Sequence, residues 1–252
     1  MDQQAWIDWL HAETAVPFAG WDFSYVTRTG RMKGAPLPWN YVNLVSRRLR
    51  GAESLLDMGT GGGELLSLLR PLPPRTFATE GYAPNVPVAR ARLEPLGVTV
   101  VDADGEADLP FADEVFELVI NRHESYRPEE VCRIMKPGAC FITQQVGGHN
   151  DLELNRMLEA PVPEEYLHWN LAYAAAQLEA AGLTVVERRE VFSFTRFYDV
   201  GAIVYYLQAI PWQVPDFSVE RCADGLLRIH RVIERDGYVD IPAHRFLLVA
   251  VK

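Results

Sequence analysis

Between two apolar runs, residues 55–69 read LLDMGTGGGELLSLL, with Gly59, Gly61, Gly62 and Gly63 crowded behind Asp57 and ahead of Glu64. Glycines at this density let a ligand approach the backbone where a side chain would stand in the way. A turn of this kind between a strand and a helix is where doubly wound α/β folds bind cofactors, through free N–H groups at the carboxyl edge of the sheet. The flanking charges narrow the choice. A polyphosphate loop places Lys at the start of the helix, whereas this one offers Glu64 and no Lys or Arg before Arg70. A dinucleotide would suit Glu80, about 20 residues beyond Gly59. The third glycine comes one residue too early for G-x-G-x-x-G, however, and Asp57 and Glu64 would repel a pyrophosphate.

A ligand that combines a sulfonium, an ammonium, a carboxylate and a ribose, with no phosphate, fits those charges best, and S-adenosylmethionine is such a ligand. Several further stretches point the same way. Asp57-Met58-Gly59-Thr60-Gly61-Gly62-Gly63, then Glu80-Gly81 at the end of an apolar run, Asp104-Gly105-Glu106 before Leu109-Pro110-Phe111, the run 116–121 ending in Asn121, and Met135-Lys136-Pro137-Gly138 follow one another in order. This series resembles the class I S-adenosylmethionine-dependent methyltransferases over roughly residues 53–145. The resemblance implies that Asp57, Gly59, Thr60, Gly61 and Gly63 form the loop for the cofactor's amino-acid end. It also implies that Glu80 and Gly81 meet the ribose hydroxyls, Asp104 and Gly105 meet the adenine, and Asn121 lies near the amino end.

Methyl transfer from a sulfonium is an in-line displacement, so the protein must align the acceptor, exclude water and in some cases remove a proton. His123, just after the 116–121 run, is the candidate base; a hydrogen-bonding role in the loop competes with this. Glu124 either orients His123 or caps a helix. His149 and Asn150, after Gly147-Gly148, are candidate substrate contacts, with helix capping as the alternative for Asn150. Trp21 and Tyr25, in the aromatic stretch WDFSYVTRTGRMKGAPLPWNYV, are candidates to line a lid over the acceptor. His123 and His149 lack a third ligand at a telling spacing, so no metal is expected.

The elements that must position these groups alternate. Strands are expected over 54–58, 75–79, 98–101, 115–121, 139–145, 183–191 and 244–252, and helices over 39–49, 63–69, 86–96, 128–135, 164–181, 199–210 and 218–236. The expected fold is α/β: a doubly wound, mostly parallel, seven-stranded Rossmann-like sheet whose last strand, by the resemblance, inserts antiparallel between the fifth and sixth. An N-terminal helical and aromatic cap (1–50) would precede the core (51–252).

The 252 residues carry a net charge of -10, which argues against a broad nucleic-acid footprint. Arg47-Arg48-Leu49-Arg50 is the densest basic cluster and reads as a helix end. Three cysteines without ligand spacing, an N-terminus without a basic-then-apolar leader, and no long apolar run lead to the expectation of a cytoplasmic monomer or homodimer away from membranes. The aromatic segment on an acidic chain favours a small-molecule acceptor. An RNA or protein methyltransferase, or a cofactor-binding partner protein without catalysis, are the alternatives.

Overall fold

The computed structural model describes residues 3–252. Met1 and Asp2, which open the 1–50 segment read above, lie outside the described residues. Eight strands form one sheet: β1 (Met32–Gly34), β2 (Ser54–Met58), β3 (Arg75–Glu80), β4 (Thr99–Asp102), β5 (Phe116–Arg122), β6 (Met135–Val146), β7 (Thr184–Phe197) and β8 (Val239–Val251). Their spatial order is β1-β7-β8-β6-β5-β2-β3-β4. The strands from β4 to β6 are parallel to one another, as expected of short buried apolar strands joined by helical crossovers. The terminal strand β8 pairs antiparallel with both β6 and β7. The eighth strand, absent from the sequence reading, is β1; it pairs antiparallel with the end of β7 from Met32 to Gly34. Three residues ending in Gly34 carry too short a pattern to read as a strand.

Nine α-helices are described: α1 (Gln3–Thr14), α2 (Ser24–Thr27), α3 (Tyr41–Leu49), α4 (Val86–Leu93), α5 (Pro128–Ile134), α6 (Leu152–Met157), α7 (Leu171–Ala180), α8 (Val200–Ala209) and α9 (Ala223–Asp236). Several boundaries differ from expectation. The helix expected over 63–69 is a single 3-10 turn, Leu66–Leu68. Little room is left between Gly63 in the left-handed region and Pro71, Pro73 and Pro74, and residues before proline avoid the helical region. The helix expected over 164–181 divides into a 3-10 turn (Glu164–Tyr166) and α7, because the Asn170 side chain accepts from Tyr173 N at 3.0 Å and starts the helix afresh. Asp199 caps α8 as expected, accepting from Ala202 N at 2.8 Å. Ser218 closes only a turn onto Arg221 N, and α9 begins at Ala223.

The apolar side chains gather in three clusters. One lies on each face of the parallel part of the sheet; α3 and α4 cover the first face, and α5 and α7 the second. The third holds Trp6, Leu10, Val26 and Met32 together with Leu154 of α6, Ile203 and Tyr206 of α8 and Ile229 of α9. The N-terminal segment thus shares a core with helices from the far end of the chain, and residue 50 is not a break in packing. Arg31 fastens this core: its guanidinium donates to Glu13 at 2.7 and 3.2 Å and to Asp199 at 2.7 and 2.8 Å. Among the described residues, no helix is long and apolar enough to cross a membrane.

Candidate functional site

The fully buried strand β2 delivers the chain to Gly59 at the carboxyl edge of the sheet. Gly59 and Gly61 stand at φ of 63° and 64°, left-handed values that side chains strain to adopt. The loop folds back over the end of β3. Thr60 N donates to Thr79 O at 2.9 Å, Gly59 N to Thr79 Oγ1 at 3.3 Å and Gly61 N to Glu80 Oε2 at 2.7 Å. Asp57 lies beneath the loop and accepts from Thr60 Oγ1 at 2.7 Å, so it shapes the turn from inside. Its burial pushes its carboxyl up to about 7, with Glu80 adding to the rise and Thr60 and Arg122 opposing it. Glu64 lies against Gly62 and Gly20 and pairs with Arg92, which also donates to Gly62 O at 2.6 Å; the acid after the glycines is therefore compensated, a contact invisible to spacing.

The ends of β3, β4 and β5 close around this loop. Glu80 Oε1 accepts from Tyr82 N at 2.9 Å, and burial raises its carboxyl above the usual range. Gly81 lets Asp104 approach: a Cβ there would stand 2.9 Å from Asp104 Cα. Asp104 Oδ1 accepts from Glu106 N at 2.8 Å, while a Cβ on Gly105 would fall 2.2 Å from Ser125 O. Asn121, wholly buried, accepts at Oδ1 from Thr143 Oγ1 at 3.1 Å and Gln145 Nε2 at 2.6 Å, and its Nδ2 has no partner among the described residues. The expected donor-side residues therefore converge on one patch at the carboxyl edge of β2, β3, β4 and β5.

Glu124 joins them in a way the sequence did not suggest. It caps no helix, since α5 begins at Pro128 behind Arg127. Its side chain lies across Gly59, where an added Cβ would come within 2.3 Å of Cγ, and it passes close to Gly105. Burial, then the charges of Glu80, Asp104 and Glu106, pushes its carboxyl up to about 7. The signal available in the sequence was its place just after a strand end; contact with Gly59 depends on the pairing of β2 with β5.

The N-terminal segment reaches the same loop. Gly20 N donates to Asn85 Oδ1 at 3.0 Å, and a Cβ on Gly61 would sit 3.3 Å from that of Trp21. Trp21 stacks on Trp212 with centroids 6.1 Å apart and planes 8° from parallel. Phe18 and Phe23 pack edge-on to it. Tyr25 is placed differently, packed on Tyr205 at 4.8 Å with the Arg31 guanidinium 5.4 Å from its ring.

On the acceptor side, Trp39 Nε1 donates to Gln144 Oε1 at 2.9 Å, and Gln144 Nε2 lies 3.1 Å from His123 Nε2. Indole N–H only donates, so it fixes the orientation of the Gln144 amide and leaves its NH2 to donate to His123. The His123 Nε2 lone pair is thereby engaged, and Nδ1 carries the proton. Burial, then Arg122 and Arg245, holds the ring well below its usual pKa, so it is neutral at pH 7. Asn150 Nδ2 donates to Asp151 Oδ2 at 2.6 Å, and its Oδ1 accepts from His244 N at 3.2 Å and from Arg245. His149 is exposed, with its backbone N–H on His244 Nδ1 at 3.4 Å. Among the described residues, no group of three or more His, Cys, Asp or Glu is placed to hold a metal ion.

Comparison with known proteins gives this geometry a family. The profile of the family described as "Methyltransferase domain" matches residues 56–143, the stretch that supplies the loop, Glu80, Asp104 and Asn121. A protein-L-isoaspartate O-methyltransferase from Methylorubrum populi is 32% identical over 112 residues, 43% of this chain and 53% of its own length. The chain thus spans about half the length of that curated relative. Among solved structures, a Bacillus halodurans protein superposes with a TM-score of 0.60 at 21% identity, covering 84% of this chain and 98% of that one. A SAM-dependent methyltransferase from Aquifex aeolicus follows at 0.52 and 16%, covering 91% and 93%. The [4+2]-cyclase SpnF shares the fold at 0.53 and 18%, covering 84% and 79%. The profile over the glycine loop and the strand ends gives residues 56–143 a methyltransferase domain, and the last strand antiparallel inside the sheet gives the chain the Rossmann-like fold of class I methyltransferases.

Proposed function

We propose that this protein transfers a methyl group from S-adenosylmethionine to oxygen or nitrogen of a small-molecule acceptor. The observation that carries this reading is the packing of Gly20 and Trp21 against Gly61 and Gly62, in the loop whose Gly61 N–H donates to Glu80. The residues present fit the donor. The glycines let Glu124, Trp21 and Glu64 pack directly on the loop backbone, where a Cβ on Gly59, Gly61 or Gly62 would meet them, and Asn121 Nδ2 is a buried donor still seeking an acceptor. Each Glu80 oxygen has one protein hydrogen bond and keeps a lone pair for a ribose hydroxyl. When bound, the cofactor supplies a methyl group made electrophilic by its sulfonium.

The chain's own contribution is to orient, to exclude water and to manage charge. With its Nε2 lone pair held by Gln144, His123 serves as a base only if Gln144 swings away. Glu124, with a carboxyl that titrates close to neutrality, is the better-placed proton acceptor. The basic cluster Arg47, Arg48 and Arg50 does not support a macromolecular acceptor. It borders an open groove of about 510 Å³ with Glu117, Leu118 and residues 136–140, at the starts of β5 and β6, the opposite edge of the sheet from the glycine loop.

Calorimetry with S-adenosylhomocysteine tests the donor. Binding in the micromolar range is expected, lost in Glu80→Ala and in Gly61→Val, whose side chain would press on Trp21; undiminished binding in both would sink the assignment. Methyl-labelled cofactor incubated with a metabolite extract, total RNA and a protein extract tests the acceptor, and label appearing in the RNA or protein would refute the small-molecule reading. The shared fold of the cyclase SpnF shows why the second experiment is needed, because a fold alone does not name a reaction.

A further inference from the structure

Two arginines on the acceptor side have no use in the donor site. Arg122 ends β5 and pairs in register with Gln144 of β6; Arg245 of β8 pairs with Val146, two residues further along β6. Paired positions, and positions two apart on a strand, share a face, so Arg122, Gln144, Val146 and Arg245 lie in one oblique row on the face covered by α3. Two strand spacings and two residues of rise separate the two Cα atoms by about 12 Å, within the combined reach of two arginine side chains. His123, which follows Arg122 and lies with Nε2 3.1 Å from Gln144 Nε2, feels the charge of both and keeps its Nδ1–H free because Trp39 and Gln144 hold its other nitrogen.

Neither arginine is within ion-pairing distance of a carboxylate among the described residues, whereas Arg31, Arg92 and Arg133 each pair with an acid. The adjacent acids are engaged elsewhere. Asp57 takes Thr60 Oγ1, Asp151 takes Tyr206 Oη at 2.7 Å and Asn150 Nδ2, and Glu190 takes His244 Nε2 at 2.9 Å and Leu171 N at 3.1 Å. Burial raises the Asp57 and Asp151 carboxyls above their usual range, against the pull of Arg122 on the first and Arg245 on the second. Arg245 spends one nitrogen on Asn150 and on the carbonyl of His244, which fixes its stem at the rim and leaves the rest of the fork to donate.

We propose that the acceptor carries a carboxylate and that Arg122, Arg245 and the Nδ1–H of neutral His123 hold it beside the methyl donor. This rests on the methyl-transfer reading above and names its substrate class. Arginine forks match a carboxylate in two hydrogen bonds, and a neutral imidazole N–H adds a donor without a further charge to desolvate. The glutamine and tryptophan behind His123 act as positioning residues that fix its tautomer.

The test uses the full chain loaded with S-adenosylhomocysteine and two probes of equal shape, benzoate and benzamide, with inorganic phosphate as a third, followed by calorimetry and by the ring nitrogen resonances of His123. Benzoate is expected to bind and to perturb Nδ1, with benzamide at least tenfold weaker. Arg122→Gln and Arg245→Gln should each weaken benzoate about tenfold or more while leaving S-adenosylhomocysteine affinity within twofold. Equal binding of benzoate and benzamide, no benzoate binding, or unchanged benzoate affinity in both variants would overturn the proposal. Phosphate binding tighter than benzoate would overturn the carboxylate class. Loss of S-adenosylhomocysteine binding in Arg122→Gln would reassign that arginine to the donor. Failure of the wild-type chain to take up S-adenosylhomocysteine would instead refute the donor reading, so the two failures are distinguishable.

Discussion

Replacing Asp57 by Asn should make the protein more stable at neutral pH. The Asp57 side chain is 4% exposed on β2, between β3 and β5, and its one hydrogen bond comes from Thr60. Burial outweighs that bond and lifts the carboxyl to about 7, against about 3.9 in an unfolded chain. Between those values the folded state binds more protons than the unfolded one, so stability falls as pH rises through this window and the full cost is present above pH 7. A shift of about three units at 1.36 kcal/mol each gives about 4 kcal/mol as the ceiling. In Asp57→Asn an amide oxygen still accepts from Thr60, but the NH2 group needs an acceptor, which costs about 1 kcal/mol at every pH. The change is therefore read from the slope. Urea unfolding followed by tryptophan fluorescence at pH 4.5, 6 and 8 should show the variant gaining on wild type by about 2–4 kcal/mol from the lowest pH to the highest. Taking the difference between the two proteins removes the parallel contribution of Glu124. An identical pH slope in both would mean that Asp57 is ionised in the fold and that the argument from burial is wrong.

Two further outcomes follow from other contacts. Arg31→Ala leaves Glu13 and Asp199 facing each other in the shared core without their cation; a loss of about 3 kcal/mol is expected, read as a fall of roughly 6–10 °C in Tm. Adding Glu13→Gln should recover part of it, and a fall below 2 °C would show the triad to be inert. Glu124, which titrates near 7 and lies against Gly59, should make binding of S-adenosylmethionine up to about tenfold tighter at pH 8 than at pH 6 as its carboxylate forms, with no such change for the uncharged thioether product. Calorimetry of both ligands should lose this difference in Glu124→Gln; a difference that persists would place the titrating group elsewhere.

That the residues around the glycine loop would cluster was legible because each of them belongs to a short run at one strand end. Glycines at 59, 61 and 63 announce a backbone approach, and an acid after the next strand announces a hydroxyl partner; the parallel register then brings Gly61 and Glu80 within one hydrogen bond. What spacing could not show was the direction of the side chains. Asp57 and Glu64 look alike beside the glycines, yet one lies buried under Thr60 and the other turns to Arg92, 28 residues on from Glu64 in the chain. The negative potential around the loop is also drawn from further along the chain: Glu80 feels Glu64 and Asp102, and Glu124 feels Glu80, Asp104 and Glu106. The helix after the glycines was over-read because an apolar run of helical composition was weighed above the prolines that cut it short.

The acceptor side was less legible for a topological reason. Arg122, Gln144 and Arg245 come from three separate strands, and they form one row only because the terminal strand enters the sheet beside β6. His123 alone suggested a base; His123 with Gln144 and Trp39 is a neutral donor with a set tautomer. The same insertion ties the N-terminal segment to the sheet. By running antiparallel to β7, strand β8 lengthens that strand to Phe197, and β1 pairs with its end. Tyr198 N then donates to Arg31 O at 2.9 Å, and Arg31 ties Glu13 of α1 to Asp199 at the start of α8. The segment that carries Trp21 to the glycine loop is therefore anchored through the strand that also carries Arg245. Changes in the N-terminal core should accordingly reach the donor and acceptor sides together, whereas changes at the glycine loop should leave the arginine row intact.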